Sequence, residues 1–372
     1  MLEFKTYRLF SRQKVKDFFQ IDKPLFIGIL SLVIIGLVIL YSASNQNIEL
    51  ISKQAIRMFF AFIIMILFAQ IPPSIYKIWA PWIFTIALSF IIAVLIIGVV
   101  GKGAQRWLNL WLFQFQPSEL MKLAVPLMLA WYLDDKSLPP SFFHLSVLLA
   151  IVLIPTLLVV KQPDLGTALL IAISGFSVIL LAGISARLLL LGSLLILVIA
   201  PIGWHFMHDY QKLRVLTFLN PERDPLGAGY HIIQSKIAIG AGGFFGKGWL
   251  QGTQSHLQFL PEHTTDFIFA VCGEEFGLMG SIVLLILYFW ITARGFYISM
   301  KAQDTFSRLL GGGLSLSFFI AAFVNIGMVS GLLPVVGVPL PLISYGGTSL
   351  ITLIAGFGIL MSIQTHRKLV GN

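Results

Sequence analysis

Long apolar runs separated by short polar breaks dominate the chain. Ten of them lie near 24–43, 55–71, 79–100, 118–133, 142–160, 167–184, 187–207, 267–293, 308–330 and 342–363. Each reaches or approaches the roughly 20 residues that a helix needs to cross a hydrocarbon core. The fourth is short and carries Lys122, and the sixth and seventh are parted by little more than Ser185, Ala186 and Arg187. The pattern predicts an all-α integral membrane fold, a polytopic bundle of about ten transmembrane helices with one long loop, about 208–265, between spans seven and eight. No fixed-period repeat, low-complexity tract or inverted duplication interrupts it. A single membrane domain over 24–363 is expected, with 1–23 and 364–372 as flanking segments.

Composition agrees: 57% of residues are hydrophobic and 11% charged, where soluble domains carry roughly 25% charge. The net charge of +9 does not point to nucleic acid, because the basic residues sit at the ends of apolar runs instead of on one polar face. Fourteen Lys and Arg fall on the side of the two termini, against five in the short loops opposite. Basic loops are retained in the cytoplasm, so both termini are expected there and the long loop outside. Ser42, Ala43 and Ser44 weakly imitate a cleavage site, but the run before them is long enough to span and reads as an uncleaved first helix. The lone Cys272 excludes an intrachain disulfide and a multi-cysteine metal cage, and reads as a small apolar helix residue.

Charges at membrane depth or at its edge are costly and mark functional sites by default. Four groups stand out, all on the expected outer side. The first, KGAQRWLNLWLFQFQPSELMK over 102–122, carries Arg106, Glu119 and Lys122. Arg106 suits either a basic chain snorkelling among interfacial aromatics or a phosphate ligand. Lys122 lies inside a span and needs a partner such as Glu119, one turn earlier. The second, KQPDLGTA over 161–168, places Asp164 before a helix, where capping is its favoured role.

In the third, PEHTTDFIFAVCGEEFG over 261–277, Glu262, His263 and Asp266 crowd the start of the eighth span, with Asp266 expected in its first turn. Thr264, Thr265 or Asp266 could cap that helix, yet capping needs only one of them. A carboxylate half out of water there could serve as a general base toward a hydroxyl. Glu274 falls eight residues later on the same face, about 12 Å deeper, where it must find a partner or a proton. The fourth, GLLPVVGVPLPLISYGGTSL over 331–350 with Ser344 in its final turn, holds too many prolines and glycines for one smooth helix. It predicts a re-entrant outer loop beside Asp266, because irregular backbone at membrane depth must be buried in protein or line a wet cavity. GAGGFFGKG over 240–248 imitates a phosphate-binding loop, but Ala241 stands at the first glycine position and Gly248 replaces the Ser or Thr. It reads as flexible, close-packed backbone. The seven histidines show no paired spacing suited to zinc.

PEHTTDFIFAVCGEEFG, QPDLGTAL, QPSELMKL and VVGVPLPLISYGGTSL resemble the signatures of the SEDS family of bacterial membrane glycosyltransferases over nearly the whole chain. GVPLPLISYGG with the preceding NIGMVSGLLPVVG is more similar to the members acting in cell elongation than to those acting in division. The resemblance implies a peptidoglycan glycosyltransferase of the cytoplasmic (inner) membrane that polymerises lipid II on its outer face during elongation and rod-shape maintenance. It implies that Asp266 takes a proton from the acceptor 4-hydroxyl, that Arg106 and Lys122 meet the pyrophosphate leaving group, and that a divalent cation, Mg or Mn, assists. A class B penicillin-binding protein transpeptidase and other elongation-complex membrane proteins are the implied partners. Glu119, Asp164, Glu262, His263 and Ser344 complete the candidate substrate-binding set. Two rival readings are a transporter that flips lipid-linked precursors and a non-catalytic scaffold for a transpeptidase. The concentration of ionisable groups at the outer edge instead of mid-membrane favours the enzyme.

Overall fold

A computed structural model describes residues 21–101, 104–109, 114–185, 209–223, 228–256, 260 and 262–367, with isolated positions between 188 and 205. The segment 1–20, Lys102, the aromatics Trp111 and Phe113, most of the expected seventh span and the last five residues lie outside the described residues.

Nine described helices correspond to the remaining expected spans: α1 Lys23–Ala43, α2 Ile48–Gln70, α3 Pro73–Ile97, α4 Pro117–Asp134, α5 Phe142–Val160, α6 Leu165–Leu181, α10 Ile268–Met300, α11 Thr305–Val329 and α12 Thr348–Thr365. Between α6 and α10 lie α7 Asp209–Leu219, α8 Ala228–Gly242 and the single turn α9 Thr253–His256. Seven of the helices are long and apolar enough to cross a membrane, α6 is a shorter apolar helix, and α4 is more polar, with Glu119, Lys122 and Asp134 along it. The chain is an all-α multi-pass membrane protein. Large apolar side chains such as Phe59, Trp82, Ile96 and Phe289 point outward, which is stable only where lipid is the solvent.

Three boundaries differ from expectation. Asn47 starts α2 by accepting from Leu50 N, so Lys53 and Gln54, ahead of the expected 55–71 span, belong to the helix. The hairpin between α3 and α4 forms a small antiparallel sheet, β1 Val99–Gly101, β2 Ala104–Asn109 and β3 Gln114–Phe115, in the order β1-β2-β3. We call this end of the bundle the hairpin end. The last helix begins at Thr348, because the run from Leu332 to Gly347 stays irregular.

The helix α10 is broken. Gly277 has φ 63° and ψ −156°, about 14 Å into the helix from Ile268. The glycine-rich loop after α8 supplies the missing hydrogen bonds. Lys247 N and Gly248 N donate to the carbonyls of Glu274 and Glu275, both at 3.0 Å, while Leu278 N and Met279 N donate to Gly243 and Phe244 at 3.0 and 3.2 Å. Gly246, at φ +83°, lies so close that a Cβ there would overlap the Glu275 carbonyl. A break within hydrocarbon is tolerated when neighbouring backbone re-satisfies the freed groups. The loop is therefore a plug for a severed helix: close-packed backbone, as expected, with a hydrogen-bonding role that its composition does not signal. Glu274, fully buried, receives Lys247 Nζ at 2.8 Å and the N–H groups of Thr253 and Gln254 at the start of α9. That is the partner its depth requires. Glu275 accepts from the Ser42 hydroxyl of α1.

Candidate functional site

The hairpin end gathers all four polar segments. Asp164 caps α6, accepting from Thr167 N at 3.3 Å and Thr167 Oγ1 at 3.0 Å, as its residue type and place before the helix predict. Its other partners come from the hairpin: Gln116 Nε2 donates at 3.0 Å and Arg106 Nε lies 3.6 Å away. Arg106 Nη2 also donates to the Pro163 carbonyl at 2.5 Å. The guanidinium is thus held by two contacts to the α5–α6 turn, which a chain merely snorkelling to water would not require. Glu119 and Lys122, one turn apart on α4, form the expected ion pair at 2.5 Å, with both side chains largely buried.

Asp266 departs from its expected position in a helical turn. It sits in the turn 262–267 just before α10, and α10 takes no side-chain cap. The cap position itself is held by Phe267, whose side chain has no acceptor, and Asp266 stands one residue ahead of it. The turn is pinned from several sides. Thr265 N and Phe267 N donate to the Glu262 carbonyl, and Thr265 Oγ1 donates to Glu262 Oε2 at 2.8 Å. His263 Nδ1 meets the Leu260 carbonyl at 2.8 Å. These contacts give Glu262 and His263 a role in shaping the turn.

The irregular 331–347 segment folds back onto that turn, as its composition predicts. Tyr345 N donates to Thr264 O at 2.9 Å, and Ser344 Oγ donates to Thr265 O at 2.5 Å while accepting from Leu340 N. Gly337, at φ +75°, leaves room for the carboxylate: a Cβ there would stand 3.5 Å from Asp266 Oδ2. Gly166, two residues after Asp164, packs so tightly on this segment that a Cβ would lie 2.6 Å from the Val336 carbonyl. Arg106, Asp164, Gly166, Gly337 and Asp266 are thereby linked through consecutive contacts.

Lys122 and Ser344 line one cavity between α4, α6, α11, α12 and the 339–344 segment. Near the hairpin end its wall includes Ser349 and Thr352; deeper it is Leu314, Phe318, Phe357 and Leu360. The start of α12 in that wall takes no side-chain cap either, so its first N–H groups favour an anion. The cavity joins a cationic, hydroxyl-rich mouth to an apolar interior.

Three residues of this region are absent from the expected set. Asn325, fully buried in α11, donates to the Asp266 carbonyl at 2.8 Å and to the Val338 carbonyl at 2.6 Å, clamping the turn to the irregular segment. A lone amide inside an apolar span is the signal that marks it. Gln54 of α2 bonds Ser344 O and Gly346 N at 3.5 and 3.4 Å, and Arg57 one turn later lies over the Tyr345 ring at 4.9 Å. Gln54 falls just ahead of the expected 55–71 span and Arg57 just inside it, and nothing local signals their reach toward the site. Among the described residues no three of His, Cys, Asp and Glu cluster to hold a metal.

An ion pair and several hydroxyls beside an amphipathic cavity at one end of a polytopic bundle define the class: an integral membrane protein with a polar site at the end of its bundle. The chain belongs to the cell cycle protein family that groups FtsW, RodA and SpoVE, whose model matches residues 23–369. It is 52% identical over 355 residues to the peptidoglycan glycosyltransferase MrdB of Escherichia coli K12, covering 95% of this chain and 96% of that one. A probable peptidoglycan glycosyltransferase FtsW of Trichlorobacter lovleyi is 38% identical over 94% of each chain. That difference agrees with the closer resemblance to elongation members. Among solved structures, a peptidoglycan synthase complex that coordinates polymerization and crosslinking matches at a TM-score of 0.83 with 32% identity, covering 94% of this chain and 99% of that one. The rod shape determining protein RodA of Thermus thermophilus matches at 0.71 with 27% identity, over 94% and 98%.

Proposed function

We propose that this chain, a peptidoglycan glycosyltransferase, polymerises lipid II at its hairpin end with Asp266 as the general base. The carrying observation is the placement of Asp266: a half-buried carboxylate in the turn ahead of α10, that turn clamped by Asn325 and Ser344, beside the cavity that Lys122 lines. It can take the proton of an acceptor sugar 4-hydroxyl as that oxygen attacks the donor's anomeric carbon. The bond to the lipid pyrophosphate breaks, and the charge left on the pyrophosphate is met by Lys122 and Arg106. The apolar depth of the cavity suits a polyprenyl tail.

The hairpin end faces outward and both termini face the cytoplasm of the bacterial inner membrane, in keeping with the distribution of Lys and Arg. A divalent cation, Mg or Mn, fits as a companion of the pyrophosphate and not as a protein-caged ion. Mg²⁺ is commonly held by one or two carboxylates plus substrate phosphates, and Glu119 beside Lys122 would supply one. Such an ion adds charge neutralisation at the phosphates. A class B penicillin-binding protein transpeptidase is the expected partner, together with other elongation-complex membrane proteins.

The test is glycan polymerisation from lipid II by the purified protein with its transpeptidase partner and a divalent cation. Asp266→Asn keeps the shape of the turn and removes the base, and should lower the rate by about 10²–10⁴-fold. Polymer formed at the wild-type rate by Asp266→Asn would remove the base assignment. Lipid II scrambling in vesicles without polymer would point to a carrier.

A further inference from the structure

A second cavity lies at the opposite end of the bundle, far from the chemistry just described. It opens between the end of α6, the α5 approach, the end of α10 and the start of α11, with a volume of about 510 Å³. That is within the 300–1,000 Å³ range of ligand pockets. Its walls are apolar, formed by Leu138, Leu181, Phe296, Met300 and Leu309, and one charged side chain, Arg308, stands among them.

Arg308 is exposed and forms no ion pair among the described residues; its guanidinium has a single long hydrogen bond, 3.5 Å to the Ala302 carbonyl. The nearest carboxylate in sequence, Asp304, is engaged in capping α11 through Ser307 N at 2.8 Å. Four other cations of this end have partners: Arg294 holds Asp22, Lys77 holds Asp134, Lys301 donates to the Tyr297 hydroxyl, and Lys136 lies over the Tyr132 ring. Lys23 and Arg367 are exposed like Arg308, and Lys23 lines a separate hollow against α10. Arg308 thus has donors to spare next to an apolar hollow, and they are those of a guanidinium, which fit phosphate oxygens in pairs.

We propose that this cavity binds one anionic phospholipid, its phosphate on Arg308 and its acyl chains along Leu181, Phe296 and Leu309. Charge complementarity selects the occupant. A guanidinium binds phosphate oxygens through charge-assisted hydrogen bonds, and the apolar walls favour chains over water. A soluble phosphate would leave those walls unused.

Native mass spectrometry of the intact protein released from detergent, with phosphatidylglycerol, phosphatidylcholine or inorganic phosphate added, tests this. Wild type should retain one phosphatidylglycerol in preference to phosphatidylcholine, with no displacement by phosphate. Arg308→Gln should weaken retention about tenfold. Leu181→Trp, which fills the hollow without changing charge, should weaken it as well, and Lys301→Gln, a cation outside the cavity, should not. Equal retention of both lipids, retention unchanged in Arg308→Gln, or an equal loss in Lys301→Gln would each overturn the proposal.

Discussion

At the end opposite the hairpin, Arg294 of α10 makes two hydrogen bonds, 3.0 and 2.7 Å, to Asp22, which itself caps α1 through Leu25 N. Asp134 at the end of α4 binds Lys77 and the Phe306 N–H of α11. Ser141 and Asp304 cap α5 and α11. Charge there closes helix ends and ties neighbouring helices together. At the hairpin end α4, α10 and α12 all start without a side-chain cap, although Glu119, Asp266, Ser349 and Thr352 stand close by. Asp164 and Asn47 still cap α6 and α2 there, but Lys122, Ser344, Ser349 and Thr352 line a cavity and Glu119 pairs with Lys122 beside it. The same residue types thus serve as fasteners at one end and as both fasteners and cavity lining at the other, and the difference can be separated experimentally into stability and rate.

The largest effect on stability is expected at the fastening end. Arg294→Met leaves the buried Asp22 carboxylate without its cation, a loss of about 3 kcal/mol, at the low end for broken buried pairs because Arg294 reaches solvent. Thermal unfolding in detergent should register it, while the polymerisation rate per folded molecule stays near wild type. Lys122→Gln should do the reverse, lowering the rate by about 10²-fold, in line with loss of one donor to developing charge. Because Lys122→Gln also strands the buried Glu119, the double substitution Glu119→Gln with Lys122→Gln separates the effects. Thermal stability should recover in the double variant and the rate should not. A recovered rate would make the pair a fastener and dissolve the contrast between the two ends.

Much of this contrast is legible in the order of residues alone. Apolar run length places nine of the helices, and the i to i+3 spacing of Glu119 and Lys122 fixes their pairing. Pro and Gly density in 331–347 betrays a re-entrant segment. What escapes is long-range. Nothing local says that Asp164 will hold Arg106, 58 positions earlier in the sequence, or that Asn325 will clamp Asp266. The break at Gly277 is invisible because its neighbours are good helix formers, and its repair comes from a loop some 30 residues upstream. The start of α10 is also undetermined locally, since Thr264, Thr265 and Asp266 are all competent caps and the cap position falls instead on Phe267.

The plug in α10 gives a smaller effect that belongs to neither end. Gly246→Ala places a Cβ against the Glu275 carbonyl at a positive φ, and backbone on both sides cannot yield as a flexible side chain would. A loss of about 1–3 kcal/mol is expected, seen as a lower unfolding temperature. Proteolysis between Gly243 and His256 should increase as well. If Gly246→Ala is as stable as wild type, the loop is loosely held and the severed helix has another means of support.

The smallest effect is a pH dependence at the hairpin end. His231 of α8 stacks on Phe267, next to Asp266, with ring centroids 5.6 Å apart. Burial pushes its pKa below the usual value, an effect only partly offset by the charge of Glu262. The unfolded chain therefore binds a proton more readily than the folded one. Stability from this residue is complete above the unfolded value of about 6.5 and declines as pH falls toward the lower folded value. The unfolding temperature should drop slightly between pH 7 and pH 5.5, and His231→Phe, which keeps the stack, should flatten that slope. An unchanged slope in His231→Phe would assign the acid sensitivity to other groups and leave α8 as a passive cover over the Asp266 turn.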